Sequence, residues 1–91
     1  MRLRWTPAAA DDLEAIANYL AKHFPSFMEN TILKIYETIA TLRSMPHRGR
    51  TGREEGTREL VIAGLPYIVV YRIRNDSVEL LHIYHGAQNR P

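Results

Sequence analysis

Four histidines and a set of arginines are the side chains of this 91-residue sequence whose types and spacing could do chemistry. His85 closes the last apolar run, SVELLHIYH, where an imidazole that titrates near neutral pH can act as a general acid or base. Arg58 and Arg72 fall in the two preceding apolar runs and would stabilise a phosphate in a transition state if they shared a face with His85. Strand parity alone leaves that register open. Taken singly, His85 reads first as a hydrogen-bonded structural histidine, and the two arginines as solvated or paired with Glu59 and Glu79. His82 and His85 stand three apart in a predicted strand, which turns them to opposite faces and keeps them from sharing a metal. The remaining two, His23 and His47, have no comparable context. The sequence carries no nucleophile motif, no HExxH, no phosphate-binding glycine loop and no zinc spacing, so neither metal nor cofactor is expected.

Charge is more informative in its distribution than in its sum of +2. Residues 1–42 hold four basic and five acidic groups, whereas Arg43 to Arg58 holds five arginines against Glu54 and Glu55. Ten of the twelve basic residues are arginine, which favours bidentate contact with carboxylate or phosphate. Arg48, Arg50, Arg53 and Arg58, with Arg90 in the tail, are the candidate contacts to a target; a solvated basic loop is the equal alternative.

The elements that must position these residues are readable in order. Residues 1–6 form a short strand in which Arg2 and Arg4 alternate with Leu3 and Trp5. Thr6 sits where an N-cap belongs and Pro7 suits a first helical position, and Asp11, Asp12 and Glu14 place negative charge toward the start of the helix. Leu13, Ile16, Ala17 and Leu20 give that helix one apolar face, ending near His23 ahead of Pro25. Ser26 is a possible cap for a second helix reaching Arg43 or Ser44, whose face carries Met28, Ile32, Ile35, Tyr36, Ile39 and Leu42. Residues 7–44 are thus a helical hairpin. Phe24, Phe27, Met28 and Tyr36 count first as core and second as partner contacts.

Residues 45–56 (MPHRGRTGREEG) have no periodicity and read as one basic loop. Residues 57–85 read as a three-stranded antiparallel meander: Thr57 to Ala63, then Tyr67 to Arg74 as the central strand, then Ser77 to His85, with turns at Gly64–Pro66 and Asn75–Asp76. Residues 86–91 are a tail. One α+β domain is expected, with a helical hairpin on a small sheet. Cysteine is absent and no apolar run approaches the roughly 20 residues of a membrane span, so a soluble cytoplasmic protein is expected.

Across nearly its whole length the sequence also resembles a known family. W-T-x-x-A-x-x-D-L in the first helix, then R-E-L-V-I, Y-I-V-V-Y-R-I and I-x-H-G-A-Q, are together similar to the RelE/ParE superfamily of toxins from bacterial type II toxin-antitoxin systems. The resemblance implies a β-α-α-β-β-β fold and a cognate, ParD-like antitoxin that wraps the toxin into a hetero-oligomer. RelE-like members cut messenger RNA on the ribosome; ParE-like members poison DNA gyrase. Ile68 stands where RelE-like sequences often have arginine, and Ala87 and Gln88 stand where a Lys-Arg pair can follow. The resemblance therefore implies the ParE branch, with a nuclease using Arg58, Arg72 and His85 as the alternative and an inactive relic that only binds antitoxin as a third. An antitoxin that folds on binding is expected to pack apolar side chains near Tyr19, Phe24 and Phe27.

Overall fold

Alternation of Leu3 and Trp5 with Arg2 and Arg4 produces strand β1 (Arg2–Trp5) in the computed structural model, which describes residues 1–87. Thr6 ends the strand. Its hydroxyl accepts from the Ala9 amide at 3.2 Å while Pro7 takes the first helical position. Such a cap is worth about 1 kcal/mol. Helix α1 (Pro7–His23) buries Ala9, Leu13 and Leu20. Phe24 donates its amide to the Leu20 carbonyl and is also the cap of α2 (Pro25–Ala40). The cap is therefore Phe24 and not Ser26, because Pro25, lacking an N–H, fits a first turn without loss. A 3-10 turn, Thr41–Arg43, finishes the hairpin and buries Leu42.

The remaining chain supplies β2 (Arg50–Thr51), β3 (Arg58–Val61), β4 (Tyr67–Arg74) and β5 (Ser77–His85). Strand order is β1-β5-β4-β3-β2, with β1 parallel to β5 and every other pair antiparallel. The antiparallel meander and its central strand are present, with the first strand shorter (Arg58–Val61) than the expected Thr57 to Ala63. Asn75 takes a positive φ of 56° in the β4–β5 turn, as that turn chemistry requires. Strand β2 was not expected: two residues offer no alternation for a sequence to display. Residues 88–91 lie outside the described part of the chain, and Gln88 and Arg90 with them.

Residues opposite one another across a ladder share a face. Leu60, Val69, Tyr71, Val78, Leu80 and Ile83 form the face under the helices, packed against Ile35, Ile39 and Leu42. Parity in β5 is reset by a bulge: Tyr71 pairs with Leu80 but Val70 pairs with His82, leaving Leu81 as the extra residue. Without it Ile83 would point to solvent. Where β1 stops, β5 needs other partners for its backbone. Thr6 donates its amide and its hydroxyl to the Leu80 carbonyl at 3.2 and 2.6 Å, and Asp12 accepts from the Ile83 amide at 2.9 Å. None of the acidic residues Asp11, Asp12 and Glu14 falls in the first turn of α1. Asp12 is therefore a strand anchor rather than a dipole partner. Among the described residues no helix is long and apolar enough to cross a membrane.

Candidate functional site

Arg58, Arg72 and His85 are not brought together. Arg58 pairs with Tyr71 and His85 with Tyr67, both on the helix side of the sheet, whereas Arg72 pairs with Glu79 on the open side. Four residues of β4 separate the Arg58 and His85 rows, about 13 Å at strand rise. Each also has local work. Arg58 Nη1 donates to the carbonyls of His47 and Gly49 at 3.2 and 2.7 Å, and Arg72 Nε donates to Glu79 at 2.6 Å. The His85 ring lies edge-on to Tyr67, with centroids 5.7 Å apart, and its Nδ1 accepts from the Ala87 amide at 3.1 Å.

The open side of the sheet is built from charge. Arg4, Glu79 and Arg72 form one row across β1, β5 and β4, and Arg2, Ser77 and Arg74 form the next. Glu79 is buried between Arg4 and Arg72, each at 2.6 Å. The hydrogen bond from Arg72 is the main reason its carboxyl is held below the usual carboxylate range; the charges of Arg72, Arg4 and Arg74 add to it against the opposing effect of burial. Glu59, the other buried carboxylate, pairs with Arg50 at 3.2 Å. The expected pairing of sheet arginine with carboxylate thus holds for Arg72 and Glu79.

Residues 45–56 are more ordered than a loop of that composition suggests. The buried Tyr71 hydroxyl donates to the Pro46 carbonyl at 2.7 Å and accepts from the Gly49 amide at 2.8 Å. A Cβ at Gly49 would lie 2.7 Å from that hydroxyl and 2.9 Å from the Glu59 carbonyl, so only glycine passes. Arg58 holds the same turn from the other side. Beyond it, β2 and β3 form a hairpin closed by Gly52 N donating to Thr57 O at 2.8 Å. Arg48, Arg50 and Arg53 are all exposed on this frame; Arg48 also donates to the Thr41 hydroxyl at 2.8 Å. Among the described target-contact candidates, Arg58 holds the loop's shape through the carbonyls of His47 and Gly49.

The tip of the helical hairpin presents the opposite chemistry. Tyr19, Phe24 and Phe27 are 55%, 49% and 63% exposed, and they edge an open, apolar cleft of about 660 Å³ that reaches Leu65, Tyr67 and His85. Tyr19 stacks toward His23 and Phe24, with centroids 4.6 and 6.3 Å away. Burial, then the neighbouring Tyr19, pushes the Tyr67 hydroxyl above its ordinary value, so it remains a neutral donor at working pH. Phe24, Phe27 and Tyr36 are thus not core. Phe24 caps α2 ahead of its stripe, and Phe27 and Tyr36 lie beside that stripe, Tyr36 at the sheet's edge against Trp5. Sequence reading missed Leu65 and Tyr67 as cleft residues and Tyr71 as the loop anchor; the two tyrosines on the helix-facing side of the central strand, each with a hydroxyl that needs a partner, were the available signal.

Against this geometry, the family profile described as the ParE toxin of type II toxin-antitoxin systems matches residues 3–90. The chain belongs to the ParE toxin family. It is 40% identical over 90 residues to the Y4kP protein of Sinorhizobium fredii, covering 99% of this chain and 93% of that one. It is 31% identical over 84 residues to toxin RelE2 of Caulobacter vibrioides, covering 92% and 93%. Among solved structures it is similar to a chromosomal ParDE toxin-antitoxin system from P. aeruginosa, with TM-score 0.87, 26% identity and coverage of 93% and 95%. A YoeB dimer from Staphylococcus aureus shares the fold at TM-score 0.60 and 14% identity, over 93% and 97%. The expected β-α-α-β-β-β order, with the two-residue β2 added after the hairpin to give a five-stranded, mainly antiparallel sheet, is therefore a ParE/RelE fold, and an antitoxin is the partner that family membership implies.

Proposed function

We propose that this toxin arrests growth by binding DNA gyrase through Arg48, Arg50, Arg53 and Arg58, with Arg90 adding to the contact, and that its antitoxin covers Tyr19, Phe24 and Phe27. The place of action is the cytoplasm. The observation that carries this reading is the division of Arg58, Arg72 and His85 between two faces of the sheet, while three other arginines stand exposed on one braced frame. A rigid, cationic, exposed hairpin is suited to docking on an acidic or phosphate-bearing surface and needs no reacting groups of its own. Purified toxin in excess should abolish supercoiling by gyrase, and undiminished supercoiling would refute the proposal.

The 31% identity to toxin RelE2 favours one second reading, a ribosome-dependent nuclease using Arg58, Arg72 and His85. Full toxicity in His85→Ala, with messenger RNA intact in poisoned cells, would remove it. Harmless expression without antitoxin would instead leave an inactive relic whose role is antitoxin binding.

A further inference from the structure

The two edges of the sheet differ in kind. At one, β2 is two residues long and carries the basic hairpin; at the other, β1 is a four-residue strand whose outer side faces no other strand among the described residues. Arg2 N donates to Asp76 O at 3.1 Å and Thr6 N donates to Leu80 O at 3.2 Å. Alternation then turns the N–H and C=O groups of Leu3 and Trp5 outward, where no partner meets them among the described residues.

The two sides of this edge are chemically distinct. On the helix side lies an open trough of about 420 Å³ with a floor of Leu3, Trp5, Ile39 and Ala40, bordered by Tyr36 and by the charged residues Glu37 and Arg43. The Tyr36 ring is half exposed and leans on Trp5 with centroids 5.5 Å apart. On the opposite side stand Arg2 and Arg4. Arg4 and Arg72 share the single carboxylate of Glu79, so their combined charge exceeds it, and Arg2 and Arg74 flank the next row. The Arg4 side chain is 69% exposed despite that ion pair.

We infer that β1 is the docking edge for an extended segment of the antitoxin in which apolar side chains, seated over Trp5 and Tyr36, alternate with acidic ones seated over Arg2 and Arg4. The inference rests on the antitoxin reading and adds a second surface to the cleft at Tyr19, Phe24 and Phe27. A strand added to an edge satisfies its backbone groups and sends alternate side chains to the two sides, so a period of two matches both chemistries at once. A second copy of this chain fits badly: β1 against β1 would oppose arginines to arginines, and like charges across a ladder destabilise it. A nucleic acid would answer the arginines but not the trough or the outward backbone groups.

Amide hydrogen exchange on the toxin alone and in complex with its purified cognate antitoxin tests this. The Leu3 and Trp5 amides should exchange rapidly in the free toxin and slow by about a hundredfold or more in the complex. Arg2→Glu should weaken antitoxin binding by about tenfold with the thermal midpoint unchanged, and Tyr36→Glu by about tenfold too, with a lower midpoint because the ring contact to Trp5 is lost. A stable complex in which Leu3 and Trp5 still exchange at the free rate overturns the inference and leaves the antitoxin reading standing. Protection of both amides in the toxin without antitoxin, together with a dimer in solution, assigns the edge to a second copy and also overturns it. Failure of the antitoxin to bind at all removes both.

Discussion

The braced hairpin at residues 45–58 and the aromatic tip at Tyr19, Phe24 and Phe27 are built on opposite principles. In the first, charged groups are exposed while their backbone is fixed by a buried phenol, by Arg58 and by a glycine that admits no side chain. In the second, half-exposed rings edge a cleft that the sheet leaves uncovered. A surface organised before binding retains its shape in solution and suits a target met transiently. An uncovered apolar cleft suits a partner that stays, because burying it supplies most of the binding free energy. Target and antitoxin should therefore be separable by mutation.

The largest effect expected is on toxicity. Replacing Arg48, Arg50 and Arg53 together by glutamate should restore colony formation by about a thousandfold while antitoxin affinity changes less than about threefold, as for charges outside that interface. Loss of both properties together would collapse the distinction. The converse triple change, Tyr19, Phe24 and Phe27 to alanine, should raise the antitoxin dissociation constant by about a hundredfold, about 3 kcal/mol, with toxicity intact. Titration calorimetry reads the first quantity and colony counts the second.

Smaller effects sharpen the account of the brace. Tyr71→Phe leaves the Pro46 carbonyl and Gly49 amide without their partner, and should cost about 1–3 kcal/mol of stability. Toxicity should fall in the same variant, because the arginines lose a fixed frame; thermal melts and colony counts on Tyr71→Phe check both. The smallest effect concerns acid. The Glu79 carboxyl is held below its ordinary value by Arg72 first, so its contribution is fully present above the ordinary carboxylate range and is lost as pH falls through the depressed folded value. Wild type should therefore lose thermal stability on acidification more steeply than Glu79→Gln, and parallel pH profiles of the two would contradict the assignment.

Much of this organisation was legible in the residues, for reasons that are local. Thr6 and Pro7 mark a helix start because a cap and a missing N–H act within one turn, and Asn75 marks a hairpin because its own dihedral is positive. The segments Tyr67–Arg74 and Ser77–His85 coincide with their strands. What was hidden depends on contacts distant in sequence. The Leu81 bulge reverses parity in β5, and no composition announces it. Arg58 looks like any exposed arginine until the turn at His47 and Gly49 folds over it. Asp12 reads as helix-start charge until β5 presents the Ile83 amide. Tyr19, Phe24 and Phe27, singled out as partner contacts, do share one cleft, although core was the first reading for Phe24 and Phe27.

Inducing this toxin in cells without antitoxin, and following DNA integrity and messenger RNA integrity in the same culture, bears most directly on the proposed target. Gyrase-dependent DNA breakage with intact transcripts is the predicted result. Cleaved transcripts with undamaged DNA would contradict it and move the site of action to the ribosome.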